Sequence, residues 1–409
     1  MRMNTDYFPQ IKQSHSQKLP AIYFDNAATT QKPQKVLEMM TNIYSSCNAN
    51  VYRGGYYWSE KTTALYAEAR QKIADFIGAK SSNEIIFTRN TTESINLVAQ
   101  ILERDYFKKG DEVIISQAEH HSNYLPWWRL AQEKKIELKI IGINAKGEFD
   151  LLAFRKALTN KTKLVAIAGV SNVLGNIYPL KQIIDLAHKK GSLVLIDGAQ
   201  WVAHLPINVS HLDCDFLAFS GHKMYGPTGI GVLFAKKEWL LKTEPLNLGG
   251  EMITSFDGTG VCWANLPQKF EAGTPAYIEA IGLGVAVEYL TKLGFKKIQS
   301  QENDLTKIAY SGLKMIKGIS ILGPSDISKR SSIIAFNLEG VHAHDLSDLL
   351  AKEGIMTRAG VHCAGPLHHQ LNIPASVRIS FGVYNTLREV NYFLQVMTNI
   401  SKELSHDKK

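Results

Sequence analysis

The sequence predicts an α/β fold: a large, mostly parallel sheet with helices on both faces, followed by a smaller α+β module. Three observations carry this. Strand-like apolar runs alternate with helical runs from about residue 84 to 235, which is how a parallel sheet with crossover helices reads. The runs are continuously apolar rather than alternating, and Leu193-Val194-Leu195-Ile196 is the clearest, as expected for strands buried on both faces. From about Ala280 the pattern changes to longer helical stretches interspersed with strands, the signature of a second unit of mixed type.

Taken in order, residues 1–20 are polar and are expected to form an extended or helical arm packing with the smaller unit. The large unit then runs over 21–280 and the small one over 281–409. Ile22 to Phe24 reads as a short strand, and Asp25 to Thr30 as tight backbone. Ser59 to Ile77 is predicted helical, with Leu65, Ala69, Ile73, Phe76 and Ile77 on one face and Gly78 as a stop. Glu84 to Phe87 reads as a strand leading into Asn90-Thr91-Thr92-Glu93, whose Asn-x-x-Glu spacing opens a helix. Strands are predicted over 112–116, 136–141, 164–168, 193–197, 215–219 and 230–235, with helices over 127–134, 151–158 and 180–190. Gly249 to Gly260 reads as a loop. In the second unit, helices are predicted over 280–293, 301–316, 344–353 and 387–401, with strands over 332–338 and 377–380.

A chain of 409 residues is long enough for two or three cores, and 45% hydrophobic with 21% charged residues is ordinary for a soluble globular protein. The net charge of +8 comes from scattered lysines without a block of like charge, which favours small anionic ligands over nucleic acid. The N-terminal 20 residues hold no apolar stretch of the signal-peptide type, and no run is long enough to span a membrane. Cys47, Cys214, Cys262 and Cys363 show no paired spacing, which argues for a reducing cytoplasm and against a zinc site or a disulfide framework.

The chemistry gathers at two strand ends. Cys214 to Phe219 runs into Ser220-Gly221-His222-Lys223-Met224-Tyr225-Gly226-Pro227, placing Lys223 where open α/β sheets bind ligands, with Ser220 and His222 able to hold a phosphate. A solvated loop lysine is the alternative. The preceding strand ends in Asp197-Gly198-Ala199-Gln200, and a buried acid there needs a cationic partner. An Asp capping the next turn is its plainer reading. A lysine that forms a Schiff base and an Asp against a pyridinium nitrogen are the two halves of a pyridoxal phosphate (PLP) site. Thr92, at a strand-to-helix turn with free amides, is assigned to the phosphate, against a reading as an ordinary capping threonine.

These stretches, with Ala118-Glu119-His120-His121-Ser122-Asn123 and Arg358-Ala359-Gly360-Val361-His362-Cys363-Ala364, resemble the cysteine desulfurases of the class V aminotransferase family, in the SufS-like, selenocysteine-lyase-like branch. The resemblance runs from about Tyr23 to the last helix. It implies the type I PLP-dependent aminotransferase-like fold with a seven-stranded sheet, in which the strand at 230–235 is antiparallel. It further implies that His120 stacks on the cofactor ring and moves protons, a use suited to an imidazole. Gln200 would bond the phenolic oxygen, and Asn172 would serve the cofactor or the substrate. Thr274 would reach the partner's phosphate across a homodimer. A loop histidine, a turn-forming Asn172 and a Gly-Thr-Pro turn are the plainer readings of His120, Asn172 and Thr274.

Arg378 stands alone among apolar strand residues, where a guanidinium fork suits a substrate carboxylate; a salt bridge is the alternative. Cys363 decides the reaction. A thiolate attacking the substrate's sulfur would leave a persulfide on Cys363 and release alanine, with Arg358 and His362 beside it; most lone cysteines are instead small buried hydrophobes. The resemblance extends to sulfur delivery through a SufE- or SufU-type acceptor for iron–sulfur cluster assembly, with His344 at the position that distinguishes the two, and to selenocysteine as a variant substrate. One stretch departs from the family's His-Arg-Gly-x-His: Tyr52-Arg53-Gly54-Gly55-Tyr56 keeps Arg53 and replaces both histidines. Arg53 and Tyr52 are assigned to the substrate, although a tyrosine does not titrate near neutrality. The competing readings are another class V lyase, epimerase or kynureninase-type hydrolase, and a weakened PLP-fold binding partner.

Overall fold

The computed structural model describes residues 7–14 and 21–406. Its larger sheet has seven strands, in the order Ile85–Thr88, Gly231–Ala235, Phe216–Ser220, Leu193–Asp197, Thr162–Ala168, Glu112–Ser116, Glu137–Ile141. Five neighbouring strands are parallel, and Gly231–Ala235 runs antiparallel to both of its partners, as the resemblance implied.

The continuous apolar runs have a geometric cause. Successive residues of a strand point to opposite faces, and here both faces are covered. Val165, Ile167, Val194, Ile196, Leu217 and Phe219 enter one cluster, while Leu164, Ala166, Leu193, Leu195, Phe216 and Ala218 enter the other. Helices Tyr57–Ile77, Leu180–His188 and Tyr277–Leu293 contribute to the first cluster, and Thr91–Asp105 and Leu125–Lys134 to the second. Each fully buried Leu, Ile or Phe contributes about 1.5–3 kcal/mol relative to an exposed one.

A smaller antiparallel sheet has the order Ile319–Ile321, Ile333–Leu338, Ser376–Ser380, Arg358–Gly360. Helices Phe295–Met315, Ala343–Lys352 and Leu387–His406 pack on it. Ile22 and Phe24 join this cluster, because Ile22–Tyr23 pairs in parallel with Ile355–Met356. The sequence-based division near residue 280 falls inside helix Tyr277–Leu293, whose buried side chains lie in the cluster of the larger sheet.

Of the N-terminal arm, helix Pro9–Ser14 is described, and Phe8 stacks with Tyr225, Tyr289 and Tyr384 at centroid distances of 5.9, 5.8 and 4.7 Å. The remainder of the arm lies outside the described residues. Several elements were not foreseen, strands Ile319–Ile321 and Arg358–Gly360 and helix Gly365–Gln370 among them. Helix Gln34–Ser46 buries only Val36 and Ile43, too narrow a stripe to stand out in the sequence. The Gly-rich stretch read as a loop holds a hairpin, Ile253–Phe256 with Val261–Trp263, with mostly exposed side chains. Among the described residues no helix is long and apolar enough to cross a membrane.

Candidate active site

Because Glu112–Ser116, Thr162–Ala168, Leu193–Asp197 and Phe216–Ser220 run in one direction, their carboxyl ends share one edge of the sheet. The segments that follow them carry His120, Asn172, Gln200 and Lys223, and the small unit closes over this edge with the Cys363 loop. The result is a cavity of about 360 Å³. It is lined by eleven of the residues singled out above: Lys223, Asp197, Gln200, His120, Thr92, Ser220, His222, Asn172, Arg378, Arg358 and Cys363.

Lys223 closes the short turn Gly221–Lys223 directly after its strand. Burial lowers its pKa, partly offset by Asp197, so the amine sits closer to its neutral, nucleophilic form. Asp197 is 6% exposed; burial pushes its carboxyl up, and the Ala199 amide donating to Oδ1 at 2.9 Å holds against that. His120 Nδ1 accepts from the Ser122 amide at 3.1 Å, which leaves Nε2 to carry the hydrogen. Burial, then Lys223, push this ring down to about 3, so it is a neutral imidazole. Thr92 Oγ1 bonds Ser122 Oγ at 2.7 Å and continues the chain toward the start of helix Thr91–Asp105. Ser220 Oγ accepts from the Thr91 amide at 2.8 Å, and Gln200 Nε2 donates to the Ala27 carbonyl at 2.6 Å.

The two arginines behave differently. Arg358 grips Asp25 through Nε and NH2 at 2.9–3.1 Å. Arg378, 3% exposed, gives NH1 to the Asn172 carbonyl at 2.9 Å and NH2 to Asp25 at 3.3 Å, while its Nε has no partner. A buried unpaired N–H on a cation facing a cavity suits an anion. Asn172 also donates Nδ2 to the His362 carbonyl at 2.7 Å. Cys363 is exposed at the rim, with backbone φ of 55°, and its carbonyl accepts from the His121 amide at 2.7 Å.

Three assigned residues lie outside this cavity within one chain. Arg53 is exposed and paired with Glu251 at 2.9 Å. Tyr52, at φ 76°, turns inward against Tyr66, beside the buried Arg70–Glu271 pair, so its ring serves packing within its own chain. Thr274 lines a second cavity of about 870 Å³, which shares Asn90 and Thr92 with the first.

Sequence reasoning missed Asp25 and Glu119, and set His362 beside Cys363 as a source of positive charge, whereas burial lowers its pKa and keeps the ring neutral. Asp25 binds both arginines. Glu119, wholly buried, accepts from Asn123 Nδ2 at 2.7 Å, Ser116 Oγ at 2.5 Å and the Ala168 amide at 3.1 Å, and burial pushes it up to about 8. It ties the ends of two strands together under His120. The only signal for it was an acid in an otherwise small and polar turn.

Residues 22–393 match the family model described as aminotransferase class V, and the chain belongs to that family. Curated relatives named probable cysteine desulfurase include one from Halalkalibacterium halodurans, 43% identical over 95% of both chains, and one from Synechocystis sp., 43% identical over 95% of this chain and 93% of the relative. Among solved structures, an apo cysteine desulfurase from Thermococcus onnurineus NA1 superposes with a TM-score of 0.92 at 39% identity, over 98% of this chain and all of that one. A cysteine desulfurase from Escherichia coli gives 0.90 at 37% identity, over 99% of this chain and all of that one.

The donor set fits PLP. An amine of lowered pKa, a buried carboxylate, a neutral planar imidazole, hydroxyls beside a helix start and a bare guanidinium Nε surround one cavity.

Proposed function

We propose that the protein is a PLP-dependent cysteine desulfurase that moves sulfur from L-cysteine onto Cys363 and releases L-alanine. The observation that carries this reading is a single cavity with Lys223 and Asp197 at its floor and an exposed Cys363 at its rim. Lys223 would hold the cofactor's aldehyde, Asp197 its ring nitrogen, His120 its ring face and Gln200 its phenolic oxygen. Thr92, Ser220 and His222 would hold the phosphate, and Asn172 would face the ring and the substrate. Bound there, PLP supplies an electron-withdrawing ring that stabilises negative charge at the substrate's Cα.

This chain's residues do the rest. Arg378 takes the substrate carboxylate. Lys223 Nζ would remove the Cα proton. The Cys363 thiolate attacks the substrate's sulfur; the new S–S bond forms as the carbon–sulfur bond breaks, and Cβ takes up a proton on the way to alanine. Arg358, Arg378 and Lys223 lie within electrostatic reach of Cys363.

Thr274 supports a shared site in a homodimer: its cavity adjoins the first, and exposed Tyr56, Tyr57 and Trp58 offer apolar surface. Arg53, which is exposed, then belongs to that interface region. The exposed thiol supports transfer to an acceptor protein of SufE or SufU type for iron–sulfur cluster assembly, and the same reading takes selenocysteine as a variant substrate. Four free cysteines support a cytoplasmic location. The test is a near-ultraviolet and visible spectrum after reconstitution with PLP, then alanine release from L-cysteine. Cys363→Ala should keep the cofactor absorbance and lose alanine release; desulfuration retained by that variant would sink the assignment.

A further inference from the structure

We propose that Ser376 and His368 are positioning residues that close a hydrogen-bonded bracket around Cys363; this rests on reading Cys363 as the sulfur acceptor. The loop between strand Arg358–Gly360 and helix Gly365–Gln370 holds His362 and Cys363 at φ of 50° and 55°. Side chains with a Cβ rarely occupy that left-handed region, so the surroundings must hold both residues there.

Strand register supplies the means. Ser376 pairs with Gly360, so the chain leaving that strand folds back over Ser376. His362 Nε2 lies 2.9 Å from the Ser376 carbonyl and 3.1 Å from its Oγ. A carbonyl only accepts, so Nε2 carries the hydrogen. His368 Nδ1 lies 3.1 Å from the Ala364 carbonyl, so there the hydrogen sits on Nδ1. His368 Nε2 is then an acceptor, and the Ser376 hydroxyl donates to it at 3.1 Å.

Every direction in this chain is fixed. His362 donates to Ser376, Ser376 to His368, and His368 to Ala364. The residue before Cys363 is thereby joined to the residue after it. Ser376, His368 and His362 are 0%, 2% and 7% exposed, and burial lowers both histidine pKa values, which keeps the rings neutral as the chain requires. Asn172 Nδ2 and the His121 amide hold the His362 and Cys363 carbonyls from the other side. An apolar filling would pack the space under an exposed thiol at no polar desolvation cost; a fully directed polar chain specifies one geometry. A nucleophile needs that geometry, since small misplacements cost large factors in rate.

The test uses the PLP-loaded enzyme with Ser376→Ala, His368→Leu and the double variant, which break the chain at two different links. Amide hydrogen exchange over residues 361–365 should rise about tenfold or more in each variant, with the strand at 333–338 unaffected. Alanine release should lose about tenfold in kcat while KM for cysteine stays within about twofold and the cofactor absorbance is unchanged. The double variant should be no worse than either single one, because both remove one unit. Parental exchange in the loop overturns the proposal, as does a lowered melting temperature with parental kcat. Exchange reads the bracket without turnover, so an enzyme that released no alanine at all would fail the functional reading separately.

Discussion

Arg378 and Arg358 sit in the same cavity and both meet Asp25, yet their free capacity differs. Arg358 spends its fork on the carboxylate, whereas Arg378 keeps Nε bare and reaches Asp25 only at 3.3 Å. A lysine cannot reproduce a planar fork. Arg378→Lys should therefore raise KM for cysteine by roughly tenfold to a hundredfold, and Arg358→Lys by several-fold less, in steady-state alanine assays. Equal effects would remove the distinction. His120 yields a pH prediction. Its folded pKa is depressed to about 3 from an ordinary 6.5, so it holds no proton through the neutral range. The acid limb of the kcat/KM profile between about pH 5 and 7 should therefore stay in place in His120→Gln, while the rate itself falls. A limb that shifts with the substitution would assign the titration to His120 after all. Lys223, Asp197 and Cys363 were legible because each stands in a motif of unusual residues at a strand end. Asp25 was not, since its partners lie more than 330 residues away and nothing local marks an acid that binds two arginines.

The loop from Val170 to Tyr178 carries Asn172 and is joined to the small unit by backbone hydrogen bonds, from the Ile177 amide to the Lys329 carbonyl and from the Ser331 amide to the Gly175 carbonyl, and by buried side chains, of which one stands out. Arg330, 1% exposed, donates to the carbonyls of Leu174, Leu322, Pro324 and Ile333 at 2.7–3.1 Å, with no carboxylate present, and burial lowers its pKa to about 10. The backbones approach so closely that a Cβ on Gly175, at φ +69°, would stand 2.4 Å from the Ile333 carbonyl. Arg330→Met keeps the aliphatic length and strands four buried acceptors, at about 1 kcal/mol or more for each one that water cannot reach. We expect a loss of about 3 kcal/mol or more in urea unfolding, and less than 1 kcal/mol would show that the carbonyls find other donors. The sequence conceals this element-scale joint, because Ser328-Lys329-Arg330-Ser331 reads as polar surface. The strands of the large sheet were legible for the opposite reason: burial on both faces writes a continuous apolar run. Helix Gln34–Ser46, anchored by two residues seven apart, leaves no comparable mark.

At the scale of the whole molecule the question is how the large sheet and the small unit stay in register over a site that both complete. Helix Phe295–Met315 bridges them, with Ile298 in the cluster of the large sheet and Leu305, Ala309 and Leu313 in that of the small one. On it Glu302, 3% exposed, meets His204 Nδ1 at 2.8 Å, next to Ser332. Burial opposes charge on the ring, but the neighbouring carboxylate and its hydrogen bond outweigh that, and the His204 pKa is raised above its ordinary 6.5. Above that value the unfolded chain has released a proton that the folded chain keeps. The contribution of the His204 ring is therefore complete below about pH 6.5 and is lost as pH rises through the folded pKa, at up to about 1.4 kcal/mol per pH unit. His188, raised by Asp215, adds a slope of the same sign from elsewhere, so the parent alone cannot isolate the pair. His204→Gln removes the titrating ring. Urea unfolding of the PLP-loaded proteins from about pH 6 to 8.5 should give a steeper decline for the parent than for the variant, with the gap between them narrowing as pH rises. Parallel curves would mean that the proton is not held at this joint, and that the two units are locked by contacts that do not titrate in this range, apolar packing and Arg330 among them.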